Sequence, residues 1–556
     1  MGRFAPPASH RHRADGGGDE TGYRRRRPEE SVLYRVVQGE LATFLARAHA
    51  RERSVLRFVE RELRAFLRCG IPAFGFLRVH CDACGLDRVV AFSCKGRGFC
   101  PSCGGRRMAD TAAHLVDRVL PVVPVRQWVL SLPFALRYRL AYDAQLTSAV
   151  LAIFVRTVFA SLRRRARKHW GVPRGQCGAV TFVQRFGDAL NMNVHFHSLV
   201  LDGVYAAGPS GALRFHPLPP PDDAEVGRVA GQVARRIVRL LERSGLAPDA
   251  DPAEADPLPD KEPLLALLYA ASVAGRIATG PRAGQRVLRV GDRIDVDDVS
   301  VLEGERCASV GGVSLHANVA VPARDRRRLE RLARYVARPP VSTQRLSRLD
   351  DGRLLYRLKH RWRDGTTHVI FEPQELLEKL AALVPPPRFH LVRYHGILGP
   401  CAGERDRVVP GGQAAVGEAP ACDAVAPAWP DAAGSAAVAR AQTASGLPPD
   451  SSDSEPVGAV PAPLRQPTLE APRSDRPRRL AWADLLRRVF AIDILECPRC
   501  GSRTRILAAI HPPDTTRAIL EGLALPSRAP PEAAARLDDE EEEPRSTREA
   551  ALDTGA

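Results

Sequence analysis

The sequence predicts an α+β protein: an antiparallel sheet with packed helices, preceded by a zinc ribbon and followed by a disordered linker and a small C-terminal unit. Two Cys-x-x-Cys pairs, at 81–84 and 100–103, are fifteen residues apart, which is typical of a two-knuckle zinc site. Between residues 179 and 384, short segments rich in β-branched and aromatic residues alternate with amphipathic helical segments. A low-complexity stretch then precedes one further Cys-x-x-Cys pair.

The charge of the chain indicates a polyanionic partner. The formal net charge is +17, whereas the hydrophobic (44%) and charged (26%) fractions are normal for a globular protein. Nucleic acid is the first candidate partner. The excess is almost entirely arginine, which a GC-rich codon bias also produces, and the chain has only five lysines: Lys95, Lys168, Lys261, Lys359 and Lys379.

The N-terminus and the cysteines indicate the cellular compartment of the protein. The N-terminus is polar and arginine-rich with no apolar h-region behind it, so no signal peptide is expected. No uninterrupted apolar run is long enough to predict a membrane span. Half of the twelve cysteines fall in three Cys-x-x-Cys pairs, which suits metal binding in a reducing compartment. We therefore expect a cytoplasmic, nucleoid-associated protein without a membrane partner, and its oligomeric state is left open.

At 556 residues the chain is too long for one ordinary core. Proline-, glycine- and charge-rich stretches divide it into seven predicted segments. These are a disordered basic arm (1–30), a helical segment plus the zinc ribbon (31–110), a helical connector interrupted by prolines (111–170), a β-rich domain (171–400), a disordered linker (401–477), a helix with a Cys-x-x-Cys pair (478–525) and a disordered tail (526–556).

Four cysteines are predicted to form one closed, tetrahedral zinc site: Cys81, Cys84, Cys100 and Cys103. His80 and Cys94 are spare donors, so a different fourth ligand is possible. The basic loop and helix start around the second pair offer a phosphate-contacting surface, although a solvated loop is an equal alternative. Its cations are Lys95, Arg97, Arg106 and Arg107. The pair Cys497 and Cys500 cannot fill a zinc shell alone and needs a partner such as His511 or a second subunit.

His195 and His197 belong to the segment 191–202, which is typical of a buried strand ending at Asp202-Gly203. Side chains alternate along a strand, so both imidazoles project from the same face and can serve as neighbouring metal ligands. The alternative is a pair of hydrogen-bonded histidines on a half-buried sheet.

The predicted helix 324–338 places a tyrosine beside an arginine face. At 3.6 residues per turn, one stripe is apolar: Leu329, Leu332, Ala333 and Val336. The opposite face carries Arg324, Arg327, Arg331, Arg334 and Arg338. Tyr335 lies on the boundary, either as an ordinary amphipathic anchor or as a phenol offered to a phosphate that Arg331, Arg334 and Arg338 hold.

These residues together predict one chemistry. A phenol with a pKa of about 10 is a poor nucleophile at pH 7. A divalent metal on the phosphate, held by His195, His197 and a third donor, would stabilise phenolate together with nearby guanidinium groups. Tyr335 would then attack a phosphodiester in line, giving a tyrosyl 5′-phosphate and a free 3′-hydroxyl. The ester bond energy is kept in that link, so strand rejoining needs no nucleotide cofactor.

In order along the chain, these stretches resemble the rolling-circle, HUH-type transposases of bacterial insertion sequences, the IS91 family. The resemblance runs from about residue 31 to 400 and from 478 to 525. It rests on 81–107 (the zinc-binding domain), 189–205 around His195-Phe-His197, 313–321, 329–340 around Tyr335, 362–368, Arg393-Tyr-His-Gly396 and the C-terminal Cys-Pro-Arg-Cys-Gly. It implies an HUH nuclease core and nicking and joining of single-stranded DNA at element ends and targets.

One position departs from the family pattern. Founding members carry two tyrosines one helical turn apart, and the earlier position here is Arg331, so the chain resembles a single-tyrosine branch. His316, on a strand before the Tyr335 helix, is the candidate third metal donor, with an ordinary core histidine as an equal alternative; His368 and His395 are weaker candidates. Two histidines and an oxygen donor are compatible with Mg²⁺ or Mn²⁺, and imidazole favours Mn²⁺.

Two other functions compete with strand transfer. A non-enzymatic DNA-binding regulator built on the zinc ribbon explains the charge and the cysteines but leaves His195, His197 and Tyr335 without a purpose. A metal-dependent phosphodiesterase that uses water would cleave DNA without covalent capture, and it would not depend on Tyr335.

Overall fold

The computed structural model describes residues 26–50, 55–246, 256–291, 304–410, 482–490 and 493–536. The helices of this part are α1 (Val32–Ala50), α2 (Arg57–Arg68), α3 (Pro101–His114), α4 (Phe134–Tyr142), α5 (Ala144–Trp170), α6 (Asp223–Arg243), α7 (Leu258–Lys261), α8 (Pro263–Val273), α9 (Arg326–Val336), α10 (Pro373–Leu383), α11 (Trp482–Phe490) and α12 (Asp514–Gly522). Residues Leu115–Val119 continue α3 as a short π-helix.

Sixteen strands form four sheets within the same residues. They are β1 (Phe76–His80), β2 (Asp87–Ala91), β3 (Val125–Ser131), β4 (Gly178–Phe186), β5 (Met192–Leu201), β6 (Gly203–Ala207), β7 (Leu213–Pro217), β8 (Leu288–Gly291), β9 (Cys307–Val310), β10 (Val313–His316), β11 (Ala320–Val321), β12 (Leu346–Arg348), β13 (Leu354–Arg357), β14 (Thr366–Phe371), β15 (Val392–Gly396) and β16 (Arg505–Ile510). The central sheet has the order β15-β4-β5-β3-β10-β9, with β11 also paired to β3. All of its pairings are antiparallel, which confirms the predicted α+β class.

Helices cover both faces of the central sheet because both faces are apolar. Phe196 and Leu130 belong to the larger core, under α4, α5 and α6. Phe182 and Leu199 face the other way and pack against the apolar stripe of α9 and against α3. The predicted stripe is therefore the buried side of α9, with Leu329, Ala333 and Val336 in the core and Leu332 at its margin.

The structure corrects the predicted helical connector at 111–170. Residues Val125–Ser131 are a strand, β3, which lies between β5 and β10 in the middle of the central sheet. The prolines at 121, 124 and 133 delimit this strand instead of interrupting a helix. Its sequence, Val-Arg-Gln-Trp-Val-Leu-Ser, is β-branched and aromatic at its centre, which favours a strand. The sheet that carries the histidines thus begins before residue 171.

A second, four-stranded sheet has the order β12-β13-β14-β8. Asp364-Gly365 forms the turn before β14, as the sequence predicts, with Gly365 at φ +83°. The strand before the turn ends at Arg357, earlier than expected, because Asp188 accepts hydrogen bonds from the backbone of Lys359 (2.9 Å) and His360 (3.3 Å). These contacts draw residues 358–361 toward the central sheet.

The described part of the C-terminal tail differs from the sequence prediction. Residues 526–536, predicted as disordered tail, lie along α1: Pro531 accepts a hydrogen bond from Gln38, and Arg536 pairs with Glu40 at 2.6 Å. The rest of the predicted basic arm (1–25), most of the predicted linker (411–477) and the acidic run 538–543 lie outside the described residues.

The helix α5 is long and apolar enough to cross a membrane by length and composition alone. Its most apolar window has a mean hydropathy of 1.6, and 61% of that window is buried inside the protein. Phe154, Val158 and Leu162 contribute this burial to the larger core. Packing in the core therefore explains the apolar character of α5. That the protein has no membrane partner stays a prediction.

A buried ion pair at the end of β5 should dominate local stability. Asp202 accepts two hydrogen bonds from Arg126 on β3 (2.9 and 2.7 Å), and both residues are more than nine-tenths buried. Removing one partner of such a pair leaves a buried charge uncompensated, at a cost of about 3–5 kcal/mol. We expect Asp202→Ala to lower the urea midpoint of unfolding markedly. The exposed pair partner Asp351 supplies the control, and an equal shift in Asp351→Ala would contradict the assignment.

Candidate active site and zinc centres

The structure brings His195, His197 and Tyr335 together. The two imidazoles lie on the same face of β5 with their ring centroids 4.9 Å apart. The ring of Tyr335, in the last turn of α9, stands edge-on to His197 at 6.2 Å. Tyr335 is 39% exposed to solvent, whereas His197 is only 5% exposed. The phenol therefore lies at the mouth of a recess with the histidines at its base.

Two cations lie over the ring of Tyr335. The guanidinium carbon of Arg338 is 4.5 Å from the ring centroid, and Nζ of Lys359 is 4.2 Å from it. Arg338 was expected on this face. Lys359 was not singled out from the sequence, although its occurrence as one of five lysines in an arginine-rich chain was a usable signal. Both charges are placed to stabilise negative charge on the phenolic oxygen.

Gln184 ties the tyrosine helix to the histidine strand, and sequence reasoning missed it. It lies opposite His195 in the β4–β5 register, so the two side chains share one face. Its Nε2 donates to the carbonyl of Val336, the residue after Tyr335, at 2.6 Å. Its Oε1 is buried and has no hydrogen-bond partner. An unpaired buried amide oxygen costs about 1–3 kcal/mol, so this atom is a candidate ligand atom.

The ring nitrogens of the two histidines are arranged for metal binding. Nδ1 of His195 donates to the carbonyl of Asn193 at 2.8 Å, which leaves the Nε2 lone pair free. The amide of Gln127 lies 2.7 Å from Nδ1 of His197, and Nε2 of that ring is buried without a partner. Burial lowers the pKa of His195 to about 4 and that of His197 well below its usual value. Both rings are thus neutral at pH 7.

The structure does not bring His316 to the pair, which corrects the predicted third donor. His316 lies opposite Val129, and Val129 lies opposite His197, so two strand spacings, about 10 Å, separate the two histidines. Its nitrogens contact Cys307 Sγ (2.9 Å) and Ser314 Oγ (3.4 Å) instead. His368 is on the other sheet, and His395 is on the far edge strand β15. Within the described ranges, no Cys, Asp, Glu or further His completes a compact ligand set with the pair.

A small cavity of about 100 Å³ opens between the zinc-binding region and the tyrosine helix. Arg97 and Arg107 reach it from the cysteine-rich side, and Arg338 from the tyrosine side. Arg185 also lines it, at 4% exposure, and its guanidinium donates to the carbonyl of Ala141 and to the hydroxyl of Tyr269 at 3.2 Å. The exposed guanidinium groups of Arg97 and Arg107 at this cavity are complementary to a phosphate or to the edge of a base.

The other predicted DNA-binding residues are more widely spread. Lys95 and Arg106 are exposed on the cysteine-rich region, and Arg331 is exposed on α9. Arg334 is different, because it pairs with Glu330 at 2.5 Å, one turn back on the same helix. Glu330 also pairs with Arg488 at 2.9 Å, so two guanidinium groups share one carboxylate, and contact of Arg334 with DNA stays a prediction.

The single predicted zinc site is corrected to two four-cysteine clusters. One consists of Cys69, Cys94, Cys100 and Cys103, and the other of Cys81, Cys84, Cys497 and Cys500. The spare donor Cys94 thus joins the second pair, together with Cys69, while the first pair meets the C-terminal pair. The spacing pattern fits one site in the sequence, but the return of the C-terminal unit to β1 gives each pair a different partner. His511, proposed as a donor, packs against Phe92.

Both clusters have the donor set and spacing for Zn²⁺. Four sulfurs each 2.3 Å from a tetrahedral ion lie about 3.8 Å apart. In the first cluster the resolved Sγ–Sγ contacts are 3.4–3.7 Å, and in the second they are 3.5 Å. Thiolate donors in this arrangement are characteristic of closed, structural zinc sites.

Comparison with known proteins agrees with these sites. The family profile described as a putative transposase matches residues 178–405, which hold the histidine strand and the tyrosine helix. The profile described as a transposase zinc-binding domain, of the IS91 type, matches residues 40–132, which hold the first cysteine cluster. The transposase for insertion sequence element IS801 from Pseudomonas savastanoi pv. phaseolicola is 24% identical over 359 residues, which is 63% of this chain and 73% of that protein. No solved structure matches.

The two profiles match in order along the chain and together take in more than half of it. In the structure, the part matched by the zinc-binding profile contains a four-cysteine cluster. The part matched by the transposase profile contains the recess with the two histidines and Tyr335. The chain belongs to the IS91 family of transposases.

Proposed function

We propose that this transposase nicks and rejoins single-stranded DNA at the ends of its insertion sequence through a covalent 5′-phosphotyrosine on Tyr335. The observation that carries the proposal is the recess itself: an exposed phenol, flanked by two cations, beside two neutral histidines with unused ring nitrogens. A non-catalytic DNA binder has no need of this combination. With chromosomal DNA as its substrate, the protein would work in the cytoplasm, at the nucleoid.

Nε2 of His195, Nε2 of His197 and Oε1 of Gln184 are the three atoms we propose as ligands of a divalent cation. Nε2 of His197 and Oε1 of Gln184 are buried without a hydrogen-bond partner, and the bond from Nδ1 of His195 to Asn193 makes its Nε2 the acceptor nitrogen. For His197, a half-turn of the Gln127 amide puts Oε1 against Nδ1–H and frees the Nε2 lone pair. Two imidazoles and an amide oxygen suit Mn²⁺ or Mg²⁺. The cation would polarise the scissile phosphate and offset its charge.

The covalent step follows from the positions of the protein groups. The phenolic oxygen of Tyr335 forms a bond to phosphorus as the bond to the 3′-oxygen breaks. The phenolic proton is lost to solvent, and the departing 3′-oxygen takes up a proton. Lys359 and Arg338 stabilise the negative charge on the phenolic oxygen during attack. The reverse reaction, with an incoming 3′-hydroxyl, rejoins the strand without a nucleotide cofactor, and the free 3′-hydroxyl suits a rolling-circle route.

The strand would approach along the cavity between the zinc-binding region and α9. Arg97, Arg107 and Arg338 line that cavity and can contact phosphates on either side of the bond to be cut. The recess supports a single-stranded substrate, because its base is closed by the sheet and His197 is almost fully buried. Lys95, Arg106 and Arg331, exposed nearby in the same regions, would add sequence-independent attraction.

The direct test is covalent capture of end-labelled oligonucleotides from the termini of the element, with Mn²⁺, in single- and double-stranded form. We expect a denaturation-resistant protein–DNA adduct with the single strand only. Binding without an adduct or cleavage would favour a regulator. Cleavage without an adduct would favour a phosphodiesterase that uses water.

We expect Lys359→Met to slow adduct formation about 10-fold while the affinity for DNA changes little. The ammonium lies 4.2 Å from the ring centroid of Tyr335, so its loss removes charge stabilisation from the attacking oxygen. Single-turnover rates at saturating DNA measure this effect. Lys168→Met, which removes one exposed charge from α5, is the control. Equal slowing in both variants would contradict the role of Lys359 in stabilising the phenolic oxygen.

A further inference from the structure

The second cysteine cluster joins two parts of the chain that are far apart in sequence. Cys81 and Cys84 follow β1, whereas Cys497 and Cys500 follow α11, more than four hundred residues later. Cys81 Sγ lies 3.5 Å from Cys500 Sγ, and Cys84 Sγ lies 3.5 Å from Cys497 Sγ. Neither transposase profile reaches the C-terminal pair. The matched zinc-binding domain therefore contains only two of the four cysteines of this cluster.

The two pairs have the same local backbone, which is a feature of zinc knuckles. Gly85 and Gly501, each after the second cysteine, have φ of +69° and +71°. The N–H of each glycine donates to the carbonyl of the first cysteine of its pair at 2.9 Å. These turns direct both sulfurs of a pair toward one point, and glycine is favoured there because its φ is positive. Arg505 and Asp82, from the two halves, pair at 2.8 Å beside the cluster.

The C-terminal unit (482–490 and 493–525) has little core of its own. Leu520 is buried against Phe76 and Val89, and Ile494 against Val79 and Val90, so its apolar side chains use the N-terminal sheet as their partner. The strand β16 also pairs with β1 of that sheet. A unit of this size, held by the pairing of β16 and by small apolar clusters, gains stability from an additional cross-link, and a structural metal supplies one.

The docked unit reaches the tyrosine helix. Leu485 of α11 is buried against Ala109 and Ala113 of α3. Arg488 of α11 pairs with Asp117 and, at 2.9 Å, with Glu330 of α9. Glu330 is the same carboxylate that holds Arg334, and it lies five residues before Tyr335. Holding α11 in place thus adds a contact to the helix that presents the phenol.

We propose that Cys81, Cys84, Cys497 and Cys500 bind a second structural Zn²⁺, which clasps the C-terminal unit to the N-terminal zinc-binding region and seats α11 against the tyrosine helix. The clasp itself stands apart from the proposed strand transfer; only its effect on Tyr335 rests on that function. Thiolate–zinc bonds contribute to folding directly, so losing the ion should release the unit from the sheet.

Zinc content of the full-length protein tests the site without reference to activity. We expect two zinc ions per chain by elemental analysis, and one in the double variant Cys497→Ser/Cys500→Ser. Cys401→Ser, which alters an exposed cysteine outside both clusters, should retain two. A wild-type content of one, or a double variant that keeps two, would overturn the proposal.

A nicked chain tests the clasp with every cysteine intact. A protease site inserted between residues 415 and 479, which lie outside the described residues, allows the chain to be cut after folding. We expect the C-terminal fragment to co-elute with the N-terminal part and to dissociate at least about tenfold faster when a zinc chelator is added. The nicked double variant should separate without chelator, whereas nicked Cys401→Ser should not. Fragments that stay together to the same extent with and without zinc would refute the clasp.

Discussion

Tyr335→Phe should abolish covalent capture of single-stranded DNA and leave DNA binding intact. The substitution removes only the oxygen that would bond to phosphorus; the ring keeps its contacts with His197, Arg338 and Lys359. Removal of an enzyme's nucleophile typically costs a factor of a thousand or more, so we expect at least about a 1,000-fold fall in adduct formation. Denaturing gels of labelled oligonucleotides with Mn²⁺ measure the adduct, and fluorescence anisotropy measures binding.

A tyrosine elsewhere in the fold provides the matched control. Tyr205 is on β6, in the small two-stranded sheet, and its ring packs edge-on against Phe215. Tyr205→Phe also deletes one phenolic oxygen and should form the adduct at the wild-type rate. Persistence of the adduct in Tyr335→Phe would place the nucleophile on another residue. Cleavage that continues while the adduct disappears would show that water can replace the phenol.

The prediction succeeded where short-range periodicity determines geometry. Alternation along the segment 191–202 predicted that His195 and His197 share a face, and they do, because β5 is a regular strand from Met192 to Leu201. The wheel of the helix 324–338 likewise predicted its buried stripe, and it left Tyr335 at the boundary where the structure exposes it. Both patterns extend over one element only, so they need no knowledge of the tertiary fold.

The prediction failed where contacts depend on strand register or on distant segments. Gln184 is opposite His195 only through the pairing of β4 with β5, and Lys359 reaches Tyr335 only because Asp188 holds its loop. The side chain of His316 can bind a metal, but the residue lies on β10, and β10 pairs with β3 rather than with β5. The cysteines were assigned to one zinc site from their spacing in the sequence. That spacing does not reveal that β16, which begins at residue 505, pairs with β1.

The second large effect is expected at the histidine pair. His195→Ala and His197→Ala should each reduce Mn²⁺-dependent adduct formation by about a thousandfold, because a cation that stabilises the transition state by several kcal/mol is lost with its ligand. Titration with Mn²⁺ separates weakened metal binding, which high Mn²⁺ partly restores, from a damaged fold, which it does not. His390→Ala, at an exposed position before β15, is the control.

Gln184 makes this experiment more specific, because its two side-chain atoms have separate partners. Gln184→Glu keeps an oxygen for the cation but loses the Nε2 donor to Val336, whereas Gln184→Leu loses both. If Oε1 is a ligand, the Glu variant should bind Mn²⁺ at least as tightly as the wild type, since a carboxylate is a stronger donor to a hard cation than an amide. If Gln184 only positions the tyrosine helix, both variants should lose activity equally at every Mn²⁺ concentration. Such a result would remove Gln184 from the ligand set, and the two imidazoles would then need an oxygen from the DNA phosphate to complete the site.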